Sequence, residues 1–249
     1  MKRKKLTASM IALVMSVSLP MTTYAANWYL EDGSVTVNAD NSGQTVTQGS
    51  TSTPDEAPVI TQRESSVETG NTIAINASDN ATANVTIKDI NIKSSNDAID
   101  VKGSSSANIT LEGDNKIFSE TGSALHISDG NVTINGSGSL KAEIQDDLGS
   151  DYNHNAKIGS HEKEAMSGSI HITGDATVKT DGNIASNCGG DGAGIGSGED
   201  GEMSGNIVID GNAQVEVFSN DRGAGIGTGD DGNLSGNIMI GGNAQVSAT

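Results

Sequence analysis

The residues with the clearest chemical capacity are carboxylates in two glycine-rich segments near the end of the chain. Asp191, Glu199 and Asp200 lie in the first segment, and Asp230 and Asp231 lie at a similar place in the second. Calcium takes about six to eight oxygen ligands, and turns that stack would bring such carboxylates within reach of one ion. These five residues are therefore predicted to bind calcium. The alternative is that they are solvated turn acids.

Catalytic groups are harder to place. His161 and Glu162 resemble the start of a metalloprotease helix, but no second histidine follows at the required spacing. Arg222 lies among acids and is a candidate base. The preceding repeat has Asp191 at the same position, which favours an exposed turn residue. No catalytic residue is assigned, and the balance favours a protein that is not an enzyme.

Internal repeats must position these residues. Residues 193–198 return as 224–229, and residues 203–209 return as 234–240, both at an offset of 31. An earlier, degenerate copy begins at Lys157, at an offset of 37 from the next copy. Several sub-motifs that share one offset indicate a repeat architecture.

Each repeat is built from short alternating segments. Ile207 and Ile209, for example, alternate with polar residues, which predicts a strand with one buried face. Each copy is predicted to supply about three strands. Val85, Ile109 and Val132, spaced by 24 and 23 residues, carry the same pattern upstream. The predicted fold is all-β, a right-handed parallel β-helix (a solenoid). The main rival, a β-sandwich, would need larger apolar residues than this chain has.

Composition sets the wider limits. Aromatic residues make up 2% of the chain and glycine reaches 32 residues, which suits a thin-cored repeat fold. The single Cys188 excludes an intrachain disulfide. The formal net charge is −18, and a surface this acidic disfavours binding to nucleic acid because phosphates are repelled.

The first 25 residues have the three-part pattern of a secretory signal peptide. Lys2 to Lys5 are basic, residues 7–19 are mostly apolar, and Thr23 to Ala25 offer small residues at a cleavage site. Removal of 1–25 would leave ten basic and 32 acidic residues, a net charge of −22. The prediction is a secreted or cell-surface bacterial protein with no membrane span after cleavage. N-terminal coils are expected over 26–155 and glycine-rich repeat coils over 156–249, incomplete at the C-terminus.

Several segments resemble a family of Firmicute secreted or surface proteins described as carbohydrate-binding-domain-containing. The resembling segments are Trp28, 46–48 and 57–61 at the start, 111–115 and 136–140 in the middle, and the Gly-Ala-Gly-Ile-Gly repeats at 192–196 and 223–227. A related branch resembles the pectin-binding β-helix proteins. That resemblance implies a pectate-lyase-like fold and calcium binding.

The functional expectation is a non-catalytic extracellular binding or adhesion solenoid. Few aromatic side chains are present for neutral sugars, and an acidic surface repels uronates unless calcium bridges them. Calcium is therefore the expected cofactor, and a polysaccharide or a host or cell-surface glycan is the expected partner. Two alternatives stay open: a polysaccharide lyase or glycosidase on a β-helix, and a structural stalk of a larger surface protein.

Overall fold

The computed structural model describes residues 25–78, 80–102, 106–145, 152–180, 190–219 and 222–249. Apart from Ala25, the predicted signal peptide lies outside these ranges, as does Cys188. Over the described ranges the chain is all-β with parallel sheets, as predicted, and its helical structure there is a short 3-10 turn at Leu30–Asp32. Within the same ranges, no helix has the length and apolar character needed to cross a membrane.

The strands are short and are numbered in chain order. They are β1 (Asn27–Tyr29), β2 (Val35–Asp40), β3 (Gly43–Gln48), β4 (Thr51–Pro54), β5 (Val59–Thr61), β6 (Ile73–Ala77), β7 (Thr82–Lys88), β8 (Asn91–Ser94), β9 (Ile99–Lys102), β10 (Ser106–Glu112), β11 (Asp114–Ser119), β12 (Leu125–Ile127), β13 (Asn131–Gly136), β14 (Ser139–Ile144), β15 (Ile158–Gly159), β16 (Ile170–Ile172), β17 (Thr177–Thr180), β18 (Ile195–Gly196), β19 (Ile207–Ile209), β20 (Gln214–Val217), β21 (Ile226–Gly227), β22 (Ile238–Ile240) and β23 (Gln245–Ala248).

The strands form three sheets that the chain visits in a fixed order. Sheet A has the order β1-β5-β7-β10-β13-β16-β19-β22, sheet C has β8-β11-β14-β17-β20-β23, and sheet B has β4-β3-β2-β6-β9-β12-β15-β18-β21. From β7 onward each strand of A is followed by one of C and then one of B. We call one such passage a circuit. Because consecutive strands fall in different sheets, every parallel pairing in this region joins residues one circuit apart.

The pairing register equals the repeat offsets. Ile207 pairs with Ile238 at the offset of 31, and Ile170 pairs with Ile207 at the offset of 37. Upstream, Val85 pairs with Ile109 as the spacing of 24 predicts. The next predicted step is wrong by two residues, because Ile109 pairs with Ile134 and not with Val132. A two-residue slip leaves the same face buried, so alternation alone does not detect it.

The core is a set of columns of aliphatic side chains that run across the circuits. In sheet A, one column consists of Val85, Ile109, Ile134, Ile172 and Ile209, each at most 2% exposed. Each side chain packs between its counterparts in the circuits before and after it. A narrow core therefore continues along the molecule without large aromatic residues.

The N-terminal end departs from the parallel pattern. Strands β3 and β4 extend sheet B with antiparallel pairing. The Trp28 indole N–H donates to Asp55 Oδ2 over 2.9 Å, and Asp55 is 2% exposed. This buried contact ties β1 to the segment that follows β4.

A glycine column in sheet B allows circuits to approach closely. Gly159, Gly196 and Gly227 pair in register with φ of 141°, 142° and 144°. A Cβ on Gly196 would lie 1.7 Å from the carbonyl oxygen of Gly227, and a Cβ on Gly159 would lie equally close to Gly196. Any side chain here forces the backbones apart and adopts a strained φ.

The substitution Gly196→Ala is expected to destabilise the protein by at least about 2 kcal/mol, from strain and from the clash with the next circuit. Gly241→Ala is the matched control, because a Cβ at that position would have no other atom within 4 Å. The control is expected to stay within about 0.5 kcal/mol of the parent. Urea unfolding followed by circular dichroism measures both, and equal midpoints for the two variants would contradict the prediction.

Candidate functional site

The outward face of sheet C carries a column of lysines. Lys116 on β11 pairs in register with Lys141 on β14, which pairs with Lys179 on β17. The residues on either side of each lysine are buried, so alternation directs the three ammonium groups to solvent. Like charges in register destabilise a sheet, so the three lysines lower the stability of the fold locally. They also stand out in a chain that has 32 acidic and only 14 basic residues.

The side chains beside the column are suited to a polymer with both charge and hydroxyl groups. On one side, Ser139 pairs in register with Thr177, and Thr177 pairs with Gln214. On the other side, Phe118 presents a partly exposed ring, and the Lys93 ammonium lies 5.5 Å from its centroid. The face thus combines cations, hydrogen-bonding groups and one aromatic surface.

Acids only partly balance this face. Lys141 pairs with Glu143 over 2.9 Å and Lys179 with Glu216 over 2.8 Å, and the four side chains are between 27% and 53% exposed. Exposed ion pairs of this kind contribute only about 0–1 kcal/mol. An incoming anion can therefore replace either carboxylate at small cost.

A groove of about 480 Å³ lies over the lysine column. Its lining includes the three lysines and one carboxylate, that of Asp114, together with Ser65 and Ser66. Neighbouring strands lie about 4.8 Å apart, so the column places one cation at each such step for about 10 Å. The groove therefore presents three regularly spaced cations across three circuits, with the single carboxylate of Asp114 beside them.

The predicted calcium residues fall into two groups. Arg222 donates to Asp191 Oδ2 over 2.7 Å and lies 2.8 Å from Asp230 Oδ2, so one guanidinium joins these two carboxylates. His154 Nδ1 lies 2.6 Å from Glu199 and 3.6 Å from Asp191. His154, Asp191 and Glu199 offer three ligand atoms within 4.8 Å of one another. The structure thus brings Asp191, Glu199 and Asp230 together, but with cationic and nitrogen partners already among them.

Asp200 and Asp231 have a conformational role that spacing alone does not reveal. Both have positive φ, 55° and 54°, and Lys163 has a φ of 59° at the equivalent position of the earlier copy. Aspartate is among the residues that tolerate this left-handed conformation at turns. A lysine in the same place indicates that the turn, rather than a metal, accounts for this position. Calcium binding by the five residues stays a prediction.

The same region raises the pKa of Glu199. Burial is the largest cause, and the neighbouring carboxylates of Asp191, Glu162 and Asp200 add to it, while His154 opposes the change.

Arg222, the candidate base, forms ion pairs with two carboxylates, those of Asp191 and Asp230. It comes from the circuit after Asp191, so the two residues at equivalent repeat positions pair with each other.

A second histidine cluster was missed by sequence reasoning. His126 on β12 is opposite Asp100 on β9, and its side chain is 9% exposed. Its Nδ1 lies 2.9 Å from Asp100 and its Nε2 lies 2.8 Å from Glu164. Burial lowers the pKa of His126, but the hydrogen bonds to Asp100 and Glu164 outweigh burial and raise the pKa to about 9. Alignment of the alternating segments Ile99–Val101 and Leu125–Ile127 would have placed His126 opposite Asp100.

Comparison of the chain with protein-family models, with curated proteins and with solved structures gives no match.

The raised pKa of His126 predicts that the stability of the folded protein depends on pH, in buffer free of divalent cations. Its pKa rises from 6.5 when unfolded to about 9 when folded, so its contribution is complete below pH 6.5 and is lost as the pH passes 9. The thermal midpoint should fall over this interval. His126→Gln should lower the midpoint at pH 6 and flatten this fall, whereas the exposed His171→Gln should retain it. The same decline in the parent and in His126→Gln would refute the assignment.

Proposed function

We propose that the protein is an extracellular, non-catalytic binding module built as a right-handed parallel β-helix, and that its ligand is an acidic polysaccharide. The order A, C, B, repeated from β7 onward with parallel pairing between circuits, supports the solenoid part of the proposal. The N-terminal sequence supports export, and with it a secreted or cell-surface location.

The observation that carries the binding proposal is the lysine column with its groove. Three in-register lysines are unfavourable to one another, and a polyanion relieves that repulsion. The remaining surface is strongly acidic, so a negatively charged polymer is repelled except where the column faces it. A linear chain of uronate or sulfate groups can place successive charges along successive circuits.

Direct contact with lysine makes calcium dispensable for this surface. The calcium-assisted form of the proposal uses Asp191, Glu199 and Asp230 instead, where Arg222 and His154 compete with a metal for the carboxylates. The two forms differ in a measurable way, because only the second depends on free divalent ions.

Binding of polygalacturonate to residues 26–249, which contain every described strand, is expected in calorimetry with or without a chelator. The double variant Lys116→Gln, Lys141→Gln should weaken binding at least tenfold, because two adjacent cations of the column are lost. The matched control, Lys88→Gln with Lys163→Gln, removes the same charge elsewhere and should bind like the parent. Added salt should weaken parent binding, since the contact is ionic.

Each other outcome selects a different function. Loss of binding with chelator but not with the lysine variant would favour the calcium-assisted mode. Release of unsaturated products, seen by ultraviolet absorbance, would identify a lyase and overturn the non-catalytic proposal. No binding in either condition would leave the structural-stalk alternative.

A further inference from the structure

Three successive circuits bring an aspartate and two histidines to one place. Asp97 precedes β9, His126 lies on β12, and His161 follows β15. Each offers a ligand atom within 4.8 Å of those of the other two. The Asp97 and His126 side chains are only 10% and 9% exposed, whereas the His161 side chain is 32% exposed and opens the cluster to solvent.

The two imidazole rings are held between carboxylates. The rings stack with their centroids 4.0 Å apart and their planes 10° from parallel. His161 Nε2 lies 2.7 Å from Asp97 Oδ1, and Glu164 Oε2 lies 2.8 Å from His126 Nε2 and 3.8 Å from His161 Nδ1. His126 has a carboxylate on each ring nitrogen, Asp100 at Nδ1 and Glu164 at Nε2, so one of these contacts must open before the ring can bind a metal. The carboxylate that stays would orient the ring and raise its basicity, as is common for metal-binding histidines.

The position of Asp97 is set by its surroundings. Its Oδ1 accepts a hydrogen bond from the backbone N–H of Ser123 over 2.9 Å. A Cβ on Gly122 would lie 2.2 Å from the same oxygen, so a glycine is needed for the carboxylate to fit. The carboxylate is therefore directed at His161 before any ion arrives.

Charge balance favours a cation at this cluster. Asp97, Asp100 and Glu164 surround two imidazoles, and Lys102, which pairs with Asp100 over 2.9 Å, is the basic side chain in contact with them. The three carboxylates outnumber the one ammonium group in contact with them, which leaves an excess of negative charge at a partly buried place. Protons on the rings or a divalent metal would each neutralise it.

We propose that Asp97, His126 and His161 form a binding site for a divalent transition metal of the zinc class. Imidazole nitrogen with carboxylate oxygen suits zinc and its neighbours in the first transition series, whereas calcium prefers an all-oxygen shell. Three protein ligands leave a fourth position for water or for an outside group.

Metal entry requires the cluster to rearrange. Zinc bonds to nitrogen and oxygen are about 2.0–2.2 Å long, so the 2.7 Å contact between His161 and Asp97 must open by roughly half an ångström. The stacked rings must also tilt so that a nitrogen of each faces the ion. The metal replaces the proton shared between ring and carboxylate, so binding releases protons.

The site would join three circuits that are otherwise held by backbone pairing and core packing. Because its ligands come from separate circuits, a bound metal stabilises their stacked arrangement. The effect is independent of the lysine face on sheet C, so the test does not depend on the polysaccharide proposal.

The test is a zinc titration of chelator-treated, desalted protein, residues 26–249, by calorimetry, with cobalt absorption spectra to report nitrogen coordination. The parent should bind zinc, release protons and unfold at a higher temperature, and calcium should not replace zinc. His161→Asn should weaken zinc binding at least tenfold and remove most of the thermal effect. His161 is 32% exposed, so this variant is expected to fold.

His171→Asn is the matched control, because His171 lies on β16 of sheet A, whereas the cluster lies along sheet B, and its exposed imidazole contacts Asp210, which follows β19. It should bind zinc like the parent. A variant of the other histidine group, His154→Asn, should also retain binding at the proposed site. If zinc does not bind, or if its affinity in His161→Asn equals that in His171→Asn, the cluster holds protons only and the proposal is overturned.

Discussion

The parallel register between circuits is the constraint on which the other features of this protein depend. From β7 onward each strand pairs with the strands one circuit earlier or later, so each side chain lies over its counterpart. Inward positions become columns of aliphatic residues, and outward positions become columns of whatever type the sequence supplies. The lysine column, the glycine column and the paired Asp191 and Arg222 are three products of the same register.

The register also explains how far the sequence could predict the fold. The offsets of 31 and 37 correspond to pairing distances, and the Ile and Val alternation correctly placed most inward residues. The antiparallel β3 and β4 were not foreseen, because alternation is the same whichever direction the neighbouring strand runs. The antiparallel strands at the N-terminal end are held by tertiary contacts of Asp55, which accepts hydrogen bonds from the side chains of Trp28 and Gln44.

The site was harder to predict because circuit length varies. Lys116 and Lys141 are 25 residues apart, whereas Lys141 and Lys179 are 38 apart, so no fixed spacing marks the column. Asp97, His126 and His161 show the same difficulty, since they come from three circuits of unequal length. The acidic turns were visible because they fall in the most regular copies, yet the partners that alter their chemistry, His154 and Arg222, were not assigned to them.

The unequal circuits have a consequence for how such a protein can change. Extra residues leave the sheets at turns, while the pairing continues across Ile170, Ile207 and Ile238. Duplicating or deleting one repeat would therefore lengthen or shorten the molecule by one strand spacing, about 4.8 Å, without redesigning its interior. Each duplicated repeat would also add one more residue to every outward column, so a binding surface on such a column could grow in equal steps.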